Sequence, residues 1–132
     1  MFQQTVIVGR LGCDPDKRFT PEGAATTSFT VAVDSQARGE KFATWFRVST
    51  FGKLAESCAE FLHKGWLVLC VGELRADPNT GSPRVFLRRD STAVASFEMV
   101  AHNVKFLPGG KGQDVDSQEV ASSESWFKSQ SG

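Results

Sequence analysis

The sequence predicts an all-β domain: a five-stranded antiparallel barrel with one α-helix between its third and fourth strands, followed by a disordered C-terminal tail. Three observations carry that expectation. Apolar residues recur with a period of two in segment after segment before Leu107. One stretch, Lys53 to Lys64, instead spaces them as a helix does. Beyond Leu107 the chain reads PGGKGQDVDSQEVASSESWFKSQSG, rich in Gly, Ser and Gln and nearly free of aliphatic side chains. Such a segment cannot offset its ordering entropy by burial.

Val6, Val8 and Leu11 form an apolar run punctuated by Gly9 and Gly12, the mark of a bent strand. Phe29, Val31 and Val33 alternate with Thr30 and Ala32, and Trp45 to Phe51 alternates throughout. In Lys53–Lys64, Leu54, Cys58, Phe61 and Leu62 make a helical stripe. Gly65 is the expected C-terminal cap, with His63 and Lys64 at the negative end of the helix dipole. Leu67, Leu69 and Val71 give the next strand and Val85 to Arg89 another. The run Asp77-Pro78-Asn79-Thr80-Gly81 between them has strong turn chemistry and predicts that these two strands form a hairpin. Val94 to Phe106 is read as one long final strand. Phe29, Phe61, Phe97 and Phe106 are assigned to the core, and Trp66 to packing at the start of its strand. A small barrel with its helix in this place is the OB-fold arrangement.

Composition narrows the function. The chain has 132 residues, 40% of them hydrophobic, with 15 basic and 15 acidic groups and no net charge. No apolar run approaches the roughly 20 residues that span a bilayer, and the N-terminus lacks the pattern of a signal peptide. Cys13, Cys58 and Cys70 are odd in number and widely spaced. They suggest neither a disulfide framework nor a zinc site, and fit a reducing, cytoplasmic compartment. Neither histidine has a motif partner and no nucleophile or phosphate-loop signature occurs, so neither an enzyme nor a cofactor is expected. The zero total conceals a split. Residues 1–107, the expected domain, carry 13 basic and 11 acidic groups, whereas residues 108–132, the tail, carry two and four.

Strand parity points to a partner. Along Trp45-Phe46-Arg47-Val48-Ser49-Thr50-Phe51, one face is Phe46, Val48 and Thr50, an ordinary core face. The other is Trp45, Arg47, Ser49 and Phe51, two large rings with a cation and a hydroxyl. Rings about 6.7 Å apart per two residues match the step of an extended single strand, and each can stack a base for roughly 1–3 kcal/mol. Arg84, Phe86 and Arg88 repeat the pattern against an inward Val85 and Leu87, with Arg75 just before the turn. The less specific alternatives are a subunit contact for Trp45 and Phe51, and a solvated edge for Arg84 and Arg88.

Val6-Ile7-Val8-Gly9-Arg10-Leu11-Gly12, Asp14-Pro15, Arg18, Thr20-Pro21 and Gly23 resemble the start of the bacterial single-stranded DNA-binding proteins. Phe51-Gly52-Lys53-Leu54-Ala55-Glu56, Lys64-Gly65 and Val71-Gly72-Glu73-Leu74 are similar to that family's central blocks, in the same order, so the resemblance covers residues 2–107. It implies an OB fold, usually a homotetramer, that holds single-stranded DNA in replication, repair and recombination. It implies that Trp45 and Phe51 match base-stacking positions and that Arg10, Arg18 and Lys53 match basic ones.

The sequence departs from the family in three places. The loop Asp34–Ala43 is short, with Ser35 and Gln36 where the family has a stacking tryptophan. Phe42, near Arg38 and Lys41, is the candidate replacement. The turn 76–83 lacks a second tryptophan, for which Phe86 is the candidate. The C-terminus lacks the acidic Pro-Phe tip through which family members engage other enzymes, so that role is not expected; Trp126-Phe127 lies short of the end. An RNA-binding barrel using the same stacking physics is the nearest rival, and a protein-interaction module the next.

Overall fold

The computed structural model describes residues 1–108. The expected tail, Pro108 apart, lies outside the described residues. In chain order the elements are β1 (Thr5–Leu11), β2 (Asp16–Phe19), β3 (Ala25–Ala37), β4 (Glu40–Phe51), α1 (Gly52–Phe61), β5 (Leu67–Leu74), β6 (Val85–Leu87), β7 (Ala93–Ala95) and β8 (Phe97–Phe106). The main sheet runs β1-β5-β8-β4-β3-β2, and β1 also pairs with β3 through Arg10↔Ala32 and Leu11↔Val31. That pairing closes β1, β3, β4, β5 and β8 into the expected five-stranded barrel, with α1 between its third and fourth strands. The β4–β8 pairing is parallel and the other barrel pairings are antiparallel. The long connection through α1, β5 and the β6–β7 arm permits this, because parallel neighbours need an extended crossover.

The core follows from parity. Phe29 and Val31 of β3, Val48 of β4, Val68 and Cys70 of β5, and Met99 of β8 meet inside the barrel with Cys58 and Leu62. Thr27 and Thr50 are the buried polar residues among those described. Thr27 Oγ1 donates to the Ala55 carbonyl at 2.7 Å, and Thr50 Oγ1 donates to the Thr27 carbonyl at 2.9 Å. One hydroxyl thus fastens α1 to β3 and the other β4 to β3, with their hydrogen-bonding needs met as burial demands. Where β1 crosses β3, a Cβ on Gly9 would collide with the Ala32 carbonyl oxygen and lie 2.8 Å from Val31 Cγ1. Only a residue without a side chain lets the two backbones close the barrel there.

Several local expectations are corrected. Leu67–Leu74 does not form a hairpin with Val85–Leu87: β5 pairs with β1 on one edge and β8 on the other, so neither edge is open to β6. The Asp77 turn does form, with Gly81 N donating to Asp77 O at 2.7 Å, but it leads into a separate ribbon in which β6 pairs with β7. The expected final strand Val94–Phe106 is therefore two strands broken at Ser96, where the chain passes from ribbon to barrel. Val85 and Leu87 are 62% and 71% exposed rather than inward, since the ribbon has no layer beneath it.

Phe29 is buried, but Phe61, Phe97 and Phe106 are about half-exposed at the barrel's rim. Phe97 stacks on Phe46 at 5.5 Å between centroids, and Phe61 lies 6.1 Å from Phe106. Trp66 packs against the core as expected. The helix ends at Phe61 with Leu62 as its cap, so His63 and Lys64 lie past it. Gly65, at φ +87°, serves the following turn instead. Asp34–Ala43 is no loop: β3 and β4 stay paired to Ala37↔Glu40 around a two-residue Arg38-Gly39 turn in which both φ angles are positive.

The buried thiols generate a prediction. Burial pushes Cys58 up to about 11, partly opposed by its hydrogen bond with Thr50, and pushes Cys70 up to about 12, with Cys58 nearby adding to the rise. Both exceed the ordinary 9.0 of an unfolded thiol. Their contribution to stability is therefore complete below pH 9 and is lost as the pH climbs from 9 towards 11 or 12, where the unfolded chain binds fewer protons. The chain has no tyrosine to titrate in the same range. Urea midpoints should fall between about pH 8.5 and pH 10.5, and a thiol reagent at neutral pH should label exposed Cys13 while sparing Cys58 and Cys70.

Candidate nucleic-acid interface

The strand register assembles one outward face. Residues opposite each other in a sheet share a side, so the β3–β4 pairs Ala32↔Trp45, Thr30↔Arg47, Ser28↔Ser49 and Thr26↔Phe51 all present the same face. On β4 that face carries the two rings, 53% and 46% exposed, around Arg47 and Ser49. On β3 it carries only small residues, three of them hydroxylated. The rings therefore stand beside a shallow polar track, about 20 Å apart along the strand.

Neighbouring strands extend each row. Arg10 of β1 pairs with Ala32 and so lies in line with Trp45. Arg18 of β2 pairs with Thr26 and lies in line with Phe51. A cation thus stands at each end of the platform. They are held differently. Arg10 is half-buried, and its Nη1 donates to the Gly65 carbonyl at 2.7 Å. Arg18 is exposed and pairs with Asp16 at 3.0 Å within its own strand, a solvated contact that a phosphate can displace at little cost. Lys53 sits exposed in the first turn of α1, two residues after Phe51, which is itself the helix N-cap. No side chain caps that end and no acidic residue lies in its first turn. The lysine therefore adds positive charge to the positive end of the helix dipole, an arrangement that favours an anion beside Phe51. On the far side of β4, Glu98 of β8 faces Arg47 in register.

The other sequence-derived candidates lie apart from this face. Phe86 pairs with Val94 and alternates with Val85 and Leu87, whereas Arg84 and Arg88 flank the three-residue β6 rather than lying within it. The ribbon is a separate two-stranded sheet that meets the barrel at its base, where Arg75 N donates to Glu98 O at 2.8 Å and Ser96 N to Arg84 O at 3.4 Å. Phe86 and its flanking arginines are thus detached from the β4 face, and Arg75 lies just past the end of β5. Phe42 is exposed near the hairpin tip, paired with Ser35, on the pleat of Thr44 and Phe46 and so opposite to Trp45.

Sequence reading missed Thr26, Ser28 and Thr30, together with strand β2. The signal was available for the first three: small residues at 26, 28, 30 and 32 alternate with Ala25, Thr27, Phe29 and Val31. The buried hydroxyl of Thr27 disguised the period. β2 is exposed throughout and carries no apolar alternation to find.

Comparison with known proteins identifies the family. Residues 2–107 match the single-strand binding protein family. A "Single-stranded DNA-binding protein" of Thermotoga maritima is 36% identical over 126 residues, covering 89% of this chain and 82% of that protein. One of Clostridium tetani is 36% identical over 127 residues, covering 94% and 83%. One of Xanthomonas campestris is 36% identical over 117 residues, covering 85% of this chain but 63% of the longer protein. The matched span takes in every strand and the helix described above, and on that basis the chain belongs to the single-strand binding protein family.

Proposed function

We propose that this chain binds single-stranded DNA without sequence preference and holds it unpaired and protected during replication, recombination and repair. The observation that carries the reading is β4, whose inward residues build the core while its outward Trp45, Arg47, Ser49 and Phe51 form a ring-and-cation face. Every base has a flat face, so stacking is indifferent to sequence. Phosphates running beside the rings meet Arg47 between them, Arg10 and Arg18 at the ends, and Lys53 with the α1 N-terminus beyond Phe51. Phe86 of the ribbon with its flanking Arg84 and Arg88, and Arg75 past the end of β5, take a further stretch of the same strand, and Phe42 contributes from the hairpin tip. Each step is binding, with no covalent bond made or broken and no cofactor required.

The working unit in this reading is a homo-oligomer in the bacterial cytoplasm, a homotetramer as the family resemblance implies. One feature supports self-association. β1 pairs with β3 only at Arg10 and Leu11 and packs on it at Gly9, so the outer edge of Thr5–Val8 is open, with Phe2 and Val6 exposed beside it. An open apolar edge is a template for a second strand. In this reading residues 1–107 form the binding domain and residues 108–132 are separate from it.

Trp45→Ala should weaken binding of a single-stranded oligodeoxynucleotide by about 1–3 kcal/mol, with assembly mass unchanged. Loss of the oligomer together with normal DNA binding would reassign the ring to a subunit contact. Affinity should fall with salt at a log–log slope of about −0.7 per phosphate contact, and stacking should leave measurable binding at high salt. In competition between DNA and RNA strands of one sequence, the DNA should win; a clear preference for RNA would favour the RNA-binding alternative.

A further inference from the structure

Gly12 follows the last residue of β1, and its amide donates to the Thr30 carbonyl at 2.9 Å. A Cβ built on it would collide with Cζ3 of Trp45 and lie 2.9 Å from Cη2 of the same ring and 3.0 Å from Thr30 Oγ1. Those two carbons are the outer edge of the indole. The ring therefore rests its edge on the bare backbone of Gly12, beside Thr30, while about half of its surface stays open. Ala32, directly across the ladder from Trp45, is also small. The ring is seated in a notch made by missing side-chain atoms.

We propose that Gly12 is a positioning residue for the Trp45 platform: the absence of its Cβ sets the height and tilt at which the indole meets a base. The proposal rests on the reading of Trp45 as a stacking ring and adds a residue that itself touches no nucleic acid. Its physical basis is the asymmetry between the two partners in the clash. The Gly12 backbone is fixed by its bond to β3, whereas the half-exposed indole is free to rotate. A methyl group at position 12 therefore displaces the ring rather than the strand, and the cost falls on binding more than on folding.

The test is a double-mutant cycle of Gly12→Ala with Trp45→Phe, since a phenyl ring is shorter than indole and lacks both edge atoms. Full-length protein carrying fluorotryptophan gives separate fluorine NMR signals for Trp45, Trp66 and Trp126, with the Trp45 signal identified by its loss in Trp45→Phe. Gly12→Ala is expected to move the Trp45 signal, leave that of Trp66 in place, and weaken oligothymidylate binding about tenfold, never more than Trp45→Ala does. In the Trp45→Phe background the same change is expected to cost nothing further. Wild-type affinity for Gly12→Ala, an unmoved Trp45 signal, or an equal loss in both backgrounds each overturns the proposal. If Gly12→Ala alone fails to fold, the Trp45→Phe partner must restore folding, and failure to do so overturns it as well. Normal binding by Trp45→Ala would defeat the stacking reading, while the Trp45 signal in Gly12→Ala would still report the seat on its own.

Discussion

The structure depends on one ladder, the antiparallel pairing of β3 with β4, held in register from Thr26↔Phe51 to Ala37↔Glu40. Inward along it lie Phe29, Val31 and Val48, around which the core is packed; outward lie the rings, the arginine and the hydroxyl track. Core and interface are thus two sides of one pleated ribbon. Because side chains alternate with a period of two, no segment of β4 can be assigned to stability or to binding alone. The rigidity that burial of Val48 and Thr50 confers is transmitted to Trp45, Arg47, Ser49 and Phe51 through the backbone they share.

This arrangement explains which features could be read from the sequence. The β4 face was legible because large rings alternate with core residues, a pattern that neither a buried nor a solvated strand needs. The barrel order and the place of the helix followed from a single change of period at Lys53–Lys64. The hairpin expected between β5 and β6 was not, although its turn chemistry was sound. A turn specifies how the chain bends and is silent on whether the strand it leaves has an edge to offer, and β5 is already paired on both sides. The half-exposed Phe61, Phe97 and Phe106 show the same limit. Their residue type suits a core, but their places at the rim give each ring one neighbour and one open side.

Charge is arranged as sparingly as the rings. Arg10 and Arg18 stand at opposite ends of the platform, Arg47 lies between the rings with Glu98 across the ladder from it, and the ribbon carries its own group. In the proposed reading, a barrel only two charges above neutrality relies on a few placed cations and leaves orientation to the aromatic faces.

The tight Arg38-Gly39 tip has a bearing on how this fold can change over evolutionary time. β4 is flanked by β3 on one side and β8 on the other, so a single inserted or deleted residue within it would invert every position beyond, turning Arg47 inward and Val48 out. Only the tip, past the last barrel contact, is free of that penalty. Length there can grow or shrink in matched pairs, one residue on each strand, without disturbing either side of the ribbon. The hairpin is therefore the place where this fold can change in length while both sides of the ribbon stay as they are.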